Sequence, residues 1–312
     1  MKLSKVLITG GAGFVGSHLA EELVNKSFET VILDDLSTGK MENLEEIMAN
    51  EKMIFLRGDI RDRNLLDFAL KDIEAVFHLA AVTSVTFSMK NPTVTKQINY
   101  EGTRILLEAS TKNRVKKFIY VSSSSVYGDP EYIPIDEKHT ISPISPYAES
   151  KMLAEKACLE FWEKHGMKIV IVRPFNIYGL RQRKDQYSGV ISRFVQNLHE
   201  NRRPIIYGDG TQTRDFIFVK DIANGLFLAL ENNTGENGIF NMGTGIPTSI
   251  NDLASMLIEL TGKKALKPLH RKPRSGEIKH SYADTKSAKH SLGFEPRTTL
   301  KEGLKTLVPK NQ

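Results

Sequence analysis

Short apolar runs and amphipathic stretches alternate along most of the chain. Val6-Leu7-Ile8-Thr9, Thr30–Leu33, Ile54–Leu56, Ala75–Leu79, Lys117–Val121 and Lys168–Arg173 are brief, apolar and without polar alternation. That is the mark of strands buried on both faces. Between them, apolar positions recur at helical spacing through Ser17–Val24, Leu65–Lys71, Asn99–Lys112 and Met152–Glu163. Strands alternating with helices predict an α/β fold, a doubly wound parallel sheet with helices on both faces.

Beyond residue 175 the texture changes. Asn176–Gly189 is polar and arginine-rich, and Val190–His199 predicts an amphipathic helix. Ile205–Tyr207 predicts a short strand, Phe216–Leu230 turns into a helix, Ile239–Gly243 reads as a strand and Ile250–Leu260 as a helix. These patterns predict one large domain over residues 1–174, with returning segments about 215–243. A smaller interleaved α/β lobe takes residues 175–214 and 244–312.

Composition narrows the function. With 312 residues, 40% hydrophobic and 26% charged, the chain reads as a soluble globular protein. The net charge is +6, but its Lys and Arg are dispersed and their densest run, Lys263–Arg274, lacks interleaved aromatics. No nucleic acid is expected as a partner. The single Cys158 excludes an intramolecular disulfide and a Cys-based zinc site. No apolar run has membrane-spanning length, and the one at the N-terminus is too short for a signal peptide. The expectation is a cytoplasmic protein with no membrane partner and no metal.

The first chemistry lies in Gly10-Gly11-Ala12-Gly13-Phe14-Val15-Gly16, which joins the first strand to the first helix. In that context glycines cradle a dinucleotide. Gly10 permits the tight turn, Gly13 lets backbone approach a pyrophosphate, and Gly16 lets helix and strand pack closely. The helix N-terminus, entered through Phe14 and Val15, offers unpaired amides to phosphate. The spacing Gly-x-x-Gly-x-x-Gly is not that of most dehydrogenases, and by itself it fits an ordinary strand-to-helix turn equally well. Asp34 and Asp35 end the next strand, where a carboxylate accepts from ribose hydroxyls and repels a 2′-phosphate, favouring NAD over NADP.

The second lies in Ser145-Pro146-Tyr147-Ala148-Glu149-Ser150-Lys151. Tyr147 and Lys151, one helical turn apart, leave the same helix face. An ammonium beside a phenol favours the phenolate and makes it a base; a Tyr packed near a solvated Lys is the bland alternative. Ser122–Ser125 closes a strand at its carboxyl end, where ligands of open α/β sheets bind. His78 reads as structural rather than catalytic. Arg181, Arg214 and Arg274 would clamp a diphosphate if their loops converge; taken singly, each reads as a surface arginine.

In order along the chain stand Thr9–Gly16, Asp59-Ile60, His78-Leu79-Ala80-Ala81, Asn99, Ser122–Gly128, Tyr147-x-x-x-Lys151 and Arg173-Pro174-Phe175-Asn176. Together they resemble the extended short-chain dehydrogenase/reductases acting on nucleotide sugars, over nearly the full chain. The nearest branch resembles the UDP-hexose 4-epimerases. The resemblance implies a Rossmann-type NAD-binding domain and a UDP-sugar substrate passing through a transient 4-keto form. It implies Tyr147 as base, Lys151 as the residue that lowers its pKa and holds the nicotinamide ribose, and Ser123 as the third member. It implies that Asp59, Ile60, Leu79, Ala80, Ala81, Asn99 and Phe175 contact cofactor. Thr83, Ser124, Asn176, Val190, Tyr207, Arg214, Arg274, Glu277 and Ser281 are implied on the substrate side.

Nucleotide-sugar 4,6-dehydratases of this family carry an Asp-Glu pair after the catalytic residue, and UDP-glucuronate decarboxylases a Glu nearby. Ser124 and Ser125 stand at those positions, which counts against both. The small Ser281 at the substrate gate, and Thr83 in place of a Lys, imply room for an N-acetylated sugar. A non-catalytic NAD-binding protein is the reading from a different class. Family members commonly form homodimers through helices equivalent to Thr93–Lys112 and Pro146–Lys164. Ile105, Leu106, Leu153, Leu159, Phe161 and Trp162 there face either a second copy or their own sheet.

Overall fold

In the computed structural model, which describes residues 3–183, 189–232, 235, 237–273, 276 and 278–308, the predicted strands of the first half are all present. They are β1 (Lys5–Thr9), β2 (Glu29–Asp34), β3 (Met53–Arg57), β4 (Ala75–His78), β5 (Lys117–Val121) and β6 (Lys168–Pro174). Later come β7 (Asn176–Tyr178), β8 (Ile205–Tyr207), β9 (Thr213–Phe218), β10 (Ile239–Met242), β11 (Pro247–Ser249), β12 (Leu269–Arg271) and β13 (His280–Ser281). The helices are α1 (Phe14–Asn25), α2 (Arg63–Ala69), α3 (Val85–Lys90), α4 (Pro92–Lys96), α5 (Gly102–Lys112) and α6 (Pro146–His165). Then follow α7 (Val190–His199), α8 (Val219–Glu231), α9 (Ile250–Leu260), α10 (Lys286–Leu292) and α11 (Leu300–Lys305).

Seven strands make one sheet in the order β10-β6-β5-β4-β1-β2-β3, every pairing parallel. Residues of a strand alternate between its faces, and the two cores follow that period. Val6 and Ile8 join one core with Leu19 and Leu23 of α1 and Leu226 of α8. Leu7, Phe118, Tyr120, Ile169 and Ile171 join the other, with Leu106 of α5 and Ala154 and Cys158 of α6. Buried Lys117 donates to Leu230 O at 3.1 Å and Asn232 O at 2.7 Å, placing a cation at the negative end of α8. The strand order reverses between β1 and β4, and the crevice opens at their carboxyl ends.

A second layer assembles beside those ends. There β11, β9 and β13 run in order with β7 also on β9, while β8 and β12 pair separately. A third core, including Phe194, Leu198, Ile206, Phe216, Leu253 and Leu257, joins these strands to α7 and α9. Among the described residues, no helix is long and apolar enough to cross a membrane.

Local signals place the key helix. The Ser145 hydroxyl accepts from Ala148 N at 3.1 Å, Pro146 occupies the first turn, and Gly166 ends the helix in the left-handed region. Ser88 takes a further first-turn amide, its hydroxyl accepting from Tyr147 N at 3.1 Å. The predicted Asn99–Lys112 helix differs at its start: residues 97–101 form a π-turn ahead of α5. The wider turn holds Asn99 buried between two neighbouring segments.

His78 is structural, as its surroundings show. Thr103 donates its hydroxyl to Asn99 O at 2.6 Å, so it accepts from His78 Nε2–H at 2.8 Å. Thr9 accepts from Ala80 N at 3.3 Å and donates to His78 Nδ1 at 2.7 Å. This inferred tautomer leaves no site for a second ring proton. Burial, reinforced by the charge of Lys151, depresses the imidazole from 6.5 to about 3. The depressed group contributes stability that is complete above 6.5 and lost as pH falls toward about 3. In urea unfolding, wild type should therefore weaken from pH 6.5 downward, before the carboxylates titrate, and His78→Gln should flatten that stretch.

Candidate active site

The glycine turn fits closely against its neighbours. Gly10 has φ +71°, and a Cβ on it would lie 2.7 Å from Ala80 N. A Cβ on Gly16 would lie 2.2 Å from Gly10 O, so the start of α1 presses directly on the turn. Gly13, the N-cap, supplies no side chain, and no side chain caps α1. Phe14 and Val15 form the first turn, whose amides are left to an anion.

Asp34 is buried, with Oδ2 accepting from Ala12 N at 3.0 Å and Oδ1 from Leu36 N at 2.9 Å. Burial raises its pKa and these bonds oppose the rise. Two oxygens with spare lone pairs remain beside the glycine turn. Asp35 is exposed and accepts from Ser37 N at 2.8 Å. Asp59 grips Arg61, the guanidinium holding its carboxyl below the usual range, and Ile60 beside it is buried. Leu79 N donates to Thr9 O at 3.1 Å, which seats Leu79, Ala80 and Ala81 at the mouth of the crevice. The glycine cradle, the uncapped helix and the buried carboxylate fit NAD.

Asn99 latches this mouth to α6. Its Oδ1 accepts from Val82 N at 2.8 Å, and its Nδ2 donates to Val82 O at 2.9 Å and to Ser150 Oγ at 3.0 Å. Thr83 follows the latched Val82 and precedes Ser84, the N-cap of α3.

Tyr147 and Lys151 are 8% and 3% exposed. Lys151 Nζ donates to Val121 O at 2.8 Å and lies 5.0 Å from the centre of the Tyr120 ring. Burial lowers the ammonium to about 8, and Glu155 opposes that fall. Burial raises the Tyr147 phenol, and the Ser123 hydroxyl, close enough to hydrogen-bond it, pulls it back. The expected lowering of Tyr147 by Lys151 is thus not what the geometry gives. Desolvation dominates, and Ser123 provides the opposing contact. Ser123 Oγ itself accepts from Ser125 Oγ at 2.9 Å and Ser125 N at 3.2 Å. Ser124 stands between them, half-buried, and Phe175 is buried behind the site with Tyr127 and Ala283.

Across the crevice lies a cleft shared by Asn176, Val190, Tyr207 and Arg214. The sequence reading missed Arg193, Gln196 and Asn197, which α7 turns into the same cleft, and Gln212, whose Nε2 donates to Tyr207 O at 2.7 Å. Helical spacing from Val190 was the available signal. Fully buried Asp215 pins this lobe: its carboxylate accepts from Thr244 N at 2.8 Å, Gly245 N at 2.9 Å and Ala283 N at 3.2 Å. Its backbone oxygen accepts from Asn176 Nδ2 at 3.1 Å, while Ser281 on β13 pairs with Arg214 on β9. Arg181 does not join them. It turns onto α1, pairing with Glu21 and donating to Ser17 Oγ at 3.3 Å, because a carboxylate and a hydroxyl one turn apart offer it a fork-shaped site. Arg274 and Glu277 lie outside the described residues.

A family model described as the NAD dependent epimerase/dehydratase family matches residues 6–243. The UDP-glucose 4-epimerase of Mycolicibacterium smegmatis is 35% identical over 306 residues, with 97% of both chains covered. The structure of UDP-glucose 4-epimerase from Thermotoga maritima, solved with UDP-glucose, is 37% identical with a TM-score of 0.91 and 97% of both chains covered. The UDP-N-acetylglucosamine 4-epimerase of Methanobrevibacter ruminantium, in complex with UDP-N-acetylmuramic acid, is 36% identical with a TM-score of 0.93, covering 98% of this chain and 97% of its own.

The latch yields a stability prediction. Asn99→Ala leaves the partly buried peptide groups of Val82 and the buried Ser150 hydroxyl without their partner and should cost about 1–3 kcal/mol, measured as a lower urea midpoint with an unchanged denaturant slope.

Proposed function

The chain belongs to the NAD dependent epimerase/dehydratase family, and within it we propose a UDP-hexose 4-epimerase. Its substrates are UDP-glucose and UDP-galactose, with UDP-GlcNAc and UDP-GalNAc also admitted. The observation that carries this reading is Ser123 close to Tyr147 at the start of α6, with Lys151 one turn along the same helix and anchored on the end of β5, beside a dinucleotide crevice. Bound there, NAD supplies a reversible hydride acceptor, the chemistry a C4 alcohol needs to pass through a ketone and back.

The chain's own residues handle placement and protons. Tyr147 takes the proton from the sugar's 4-hydroxyl and returns it. Ser123, accepting from Ser125, has its own hydrogen left to donate, and directs it to the phenolate or the sugar oxygen. Lys151 keeps the site positive and reaches the nicotinamide ribose. Gly10, Gly13, Gly16 and α1 hold the pyrophosphate, Asp34 and Asp35 the adenosine ribose, and Asp59 and Ile60 the adenine side. Leu79, Ala80, Ala81, Asn99 and Phe175 frame the cofactor.

On the substrate side, Asn176, Tyr207, Arg214 and Arg274 hold the diphosphate and uridine, and Val190 and Glu277 also border the substrate. Thr83, Ser124 and Ser281 border the sugar, and the two small residues Thr83 and Ser281 admit the N-acetyl group. The larger domain carries NAD and the smaller lobe the UDP-sugar. Elimination across the sugar's C5 and C6 needs an acid at the 6-oxygen, and the neighbours of Ser123 are hydroxyls, far weaker acids than a carboxyl. A homodimer through α5 and α6 fits the partly exposed Ile105, Leu159, Phe161 and Trp162, and we place it in the cytoplasm.

Incubated with UDP-glucose or UDP-GlcNAc, the protein should yield 4-epimers without net NADH, resolved by NMR. Tyr147→Phe should lose about 100- to 10,000-fold in kcat while NAD remains bound. A 4-keto-6-deoxy product would replace this reading with dehydration.

A further inference from the structure

Behind the reacting pair lies a buried charged group with no part in the mechanism above. Glu155 and Arg173 are 4% and 3% exposed. Arg173 donates to both carboxylate oxygens, Nε to Oε1 at 2.9 Å and Nη2 to Oε2 at 2.6 Å. Ser122, the residue before Ser123, donates to Oε1 at 2.5 Å. We propose that Glu155 is a positioning residue for the catalytic site: buried one helical turn beyond Lys151 and clamped by Ser122 and Arg173, it keeps the lysine an ammonium and fixes the strand end that carries Ser123. This rests on reading Tyr147 and Lys151 as the reacting pair.

Geometry makes the case. Tyr147, Lys151 and Glu155 follow at four-residue steps and share one face of α6. That face meets the ends of β5 and β6, and the carboxylate joins all three elements: Ser122 at the end of β5, Arg173 on β6, and α6 itself. Arg173 is held in turn by Tyr127, whose hydroxyl accepts from Nη1 at 3.0 Å. A shift of Glu155 therefore moves Ser122 and, with it, Ser123.

The charges around Lys151 single out the same residue. From α6 it faces Glu155 and Cys158, with Tyr147 one turn before it; from β5, Tyr120 and the Val121 carbonyl; from β4, His78. Arg173 on β6 and Tyr127 stand behind Glu155. His78 is neutral, and burial keeps Cys158 and Tyr120 protonated. Among these groups Glu155 is the anion, and it opposes the desolvation of the ammonium. With Lys151 and Arg173 positive and Glu155 negative, the cluster is one charge positive, so ionising Tyr147 makes it neutral.

The test uses the full-length NAD-bound protein and follows the Lys151 ¹³Cε resonance with pH, assigned by its loss in Lys151→Met. In Glu155→Gln that resonance should titrate about one pH unit or more below wild type. The alkaline limb of the kcat profile should move down by the same amount, because the ammonium is lost earlier, with KM little changed. The double variant Glu155→Gln/Arg173→Gln, which leaves no unpaired buried guanidinium, should shift Lys151 in the same direction. Wild-type titration and wild-type pH profile in a folded Glu155→Gln protein, even one of lower stability, would overturn the proposal. If wild type fails to epimerise UDP-sugars, the functional reading falls, while the NMR titration, which needs no substrate, still decides Glu155.

Discussion

Burying charge is the constraint around which this active site is built. Lys151, Glu155 and Arg173 all lie inside the fold, where an unpaired ion costs several kcal/mol. Each must therefore be met by a partner in fixed geometry. The fork of Arg173 is filled by Glu155 and Tyr127. Tyr127 donates its hydroxyl to Asn241 Oδ1 at 2.7 Å, and Asn241 Nδ2 donates to Ile135 O at 2.9 Å. The network thus ties β5, β6 and β10 to the long segment between Gly128 and Ser145. Those strand ends are where Ser123, Phe175 and Asn176 emerge, so satisfying the buried ions also sets the walls of the site.

The two halves of the crevice rest on different physics. The dinucleotide half is made of backbone: Gly10 and Gly16 allow contacts that any side chain would block, and the amides of α1 need only an uncapped start. The other half, the cleft formed by the second lobe, is made of side chains held by distant partners. Asp215 reaches Thr244, Gly245 and Ala283, which stand far along the chain. Without that carboxylate, β9, β13 and the loop after β10 would share little but their edges.

This difference decides what could be read in advance. The parallel sheet, the glycine turn and the helix carrying Tyr147 depend on local pattern, and α7 and α9 begin and end where the apolar spacing does. The cleft residues Arg193 and Asn197 depend on which face α7 turns inward, which tertiary packing settles. Arg181 illustrates the limit: nothing near it in sequence signals Ser17 and Glu21, which are adjacent only after folding. Glu155 was legible in principle, because it continues the four-residue spacing of Tyr147 and Lys151. What no pattern revealed is that Ser122 and Arg173 close on it from two other strands.

The same desolvation shapes the chemistry. Burial moves Tyr147 and Lys151 in opposite directions, the phenol up and the ammonium down. Each shift alone works against a phenolate beside an ammonium. Neighbours of opposite preference oppose each shift without reversing it: the Ser123 hydroxyl lowers the phenol, and Glu155 raises the ammonium. Ser125 supports the first by donating to Ser123, and Arg173 supports the second by anchoring Glu155. A tyrosine and a lysine held in this way depend on a whole layer of residues behind them. That is why a tyrosine and a lysine at the correct spacing are necessary for the site but do not by themselves make one.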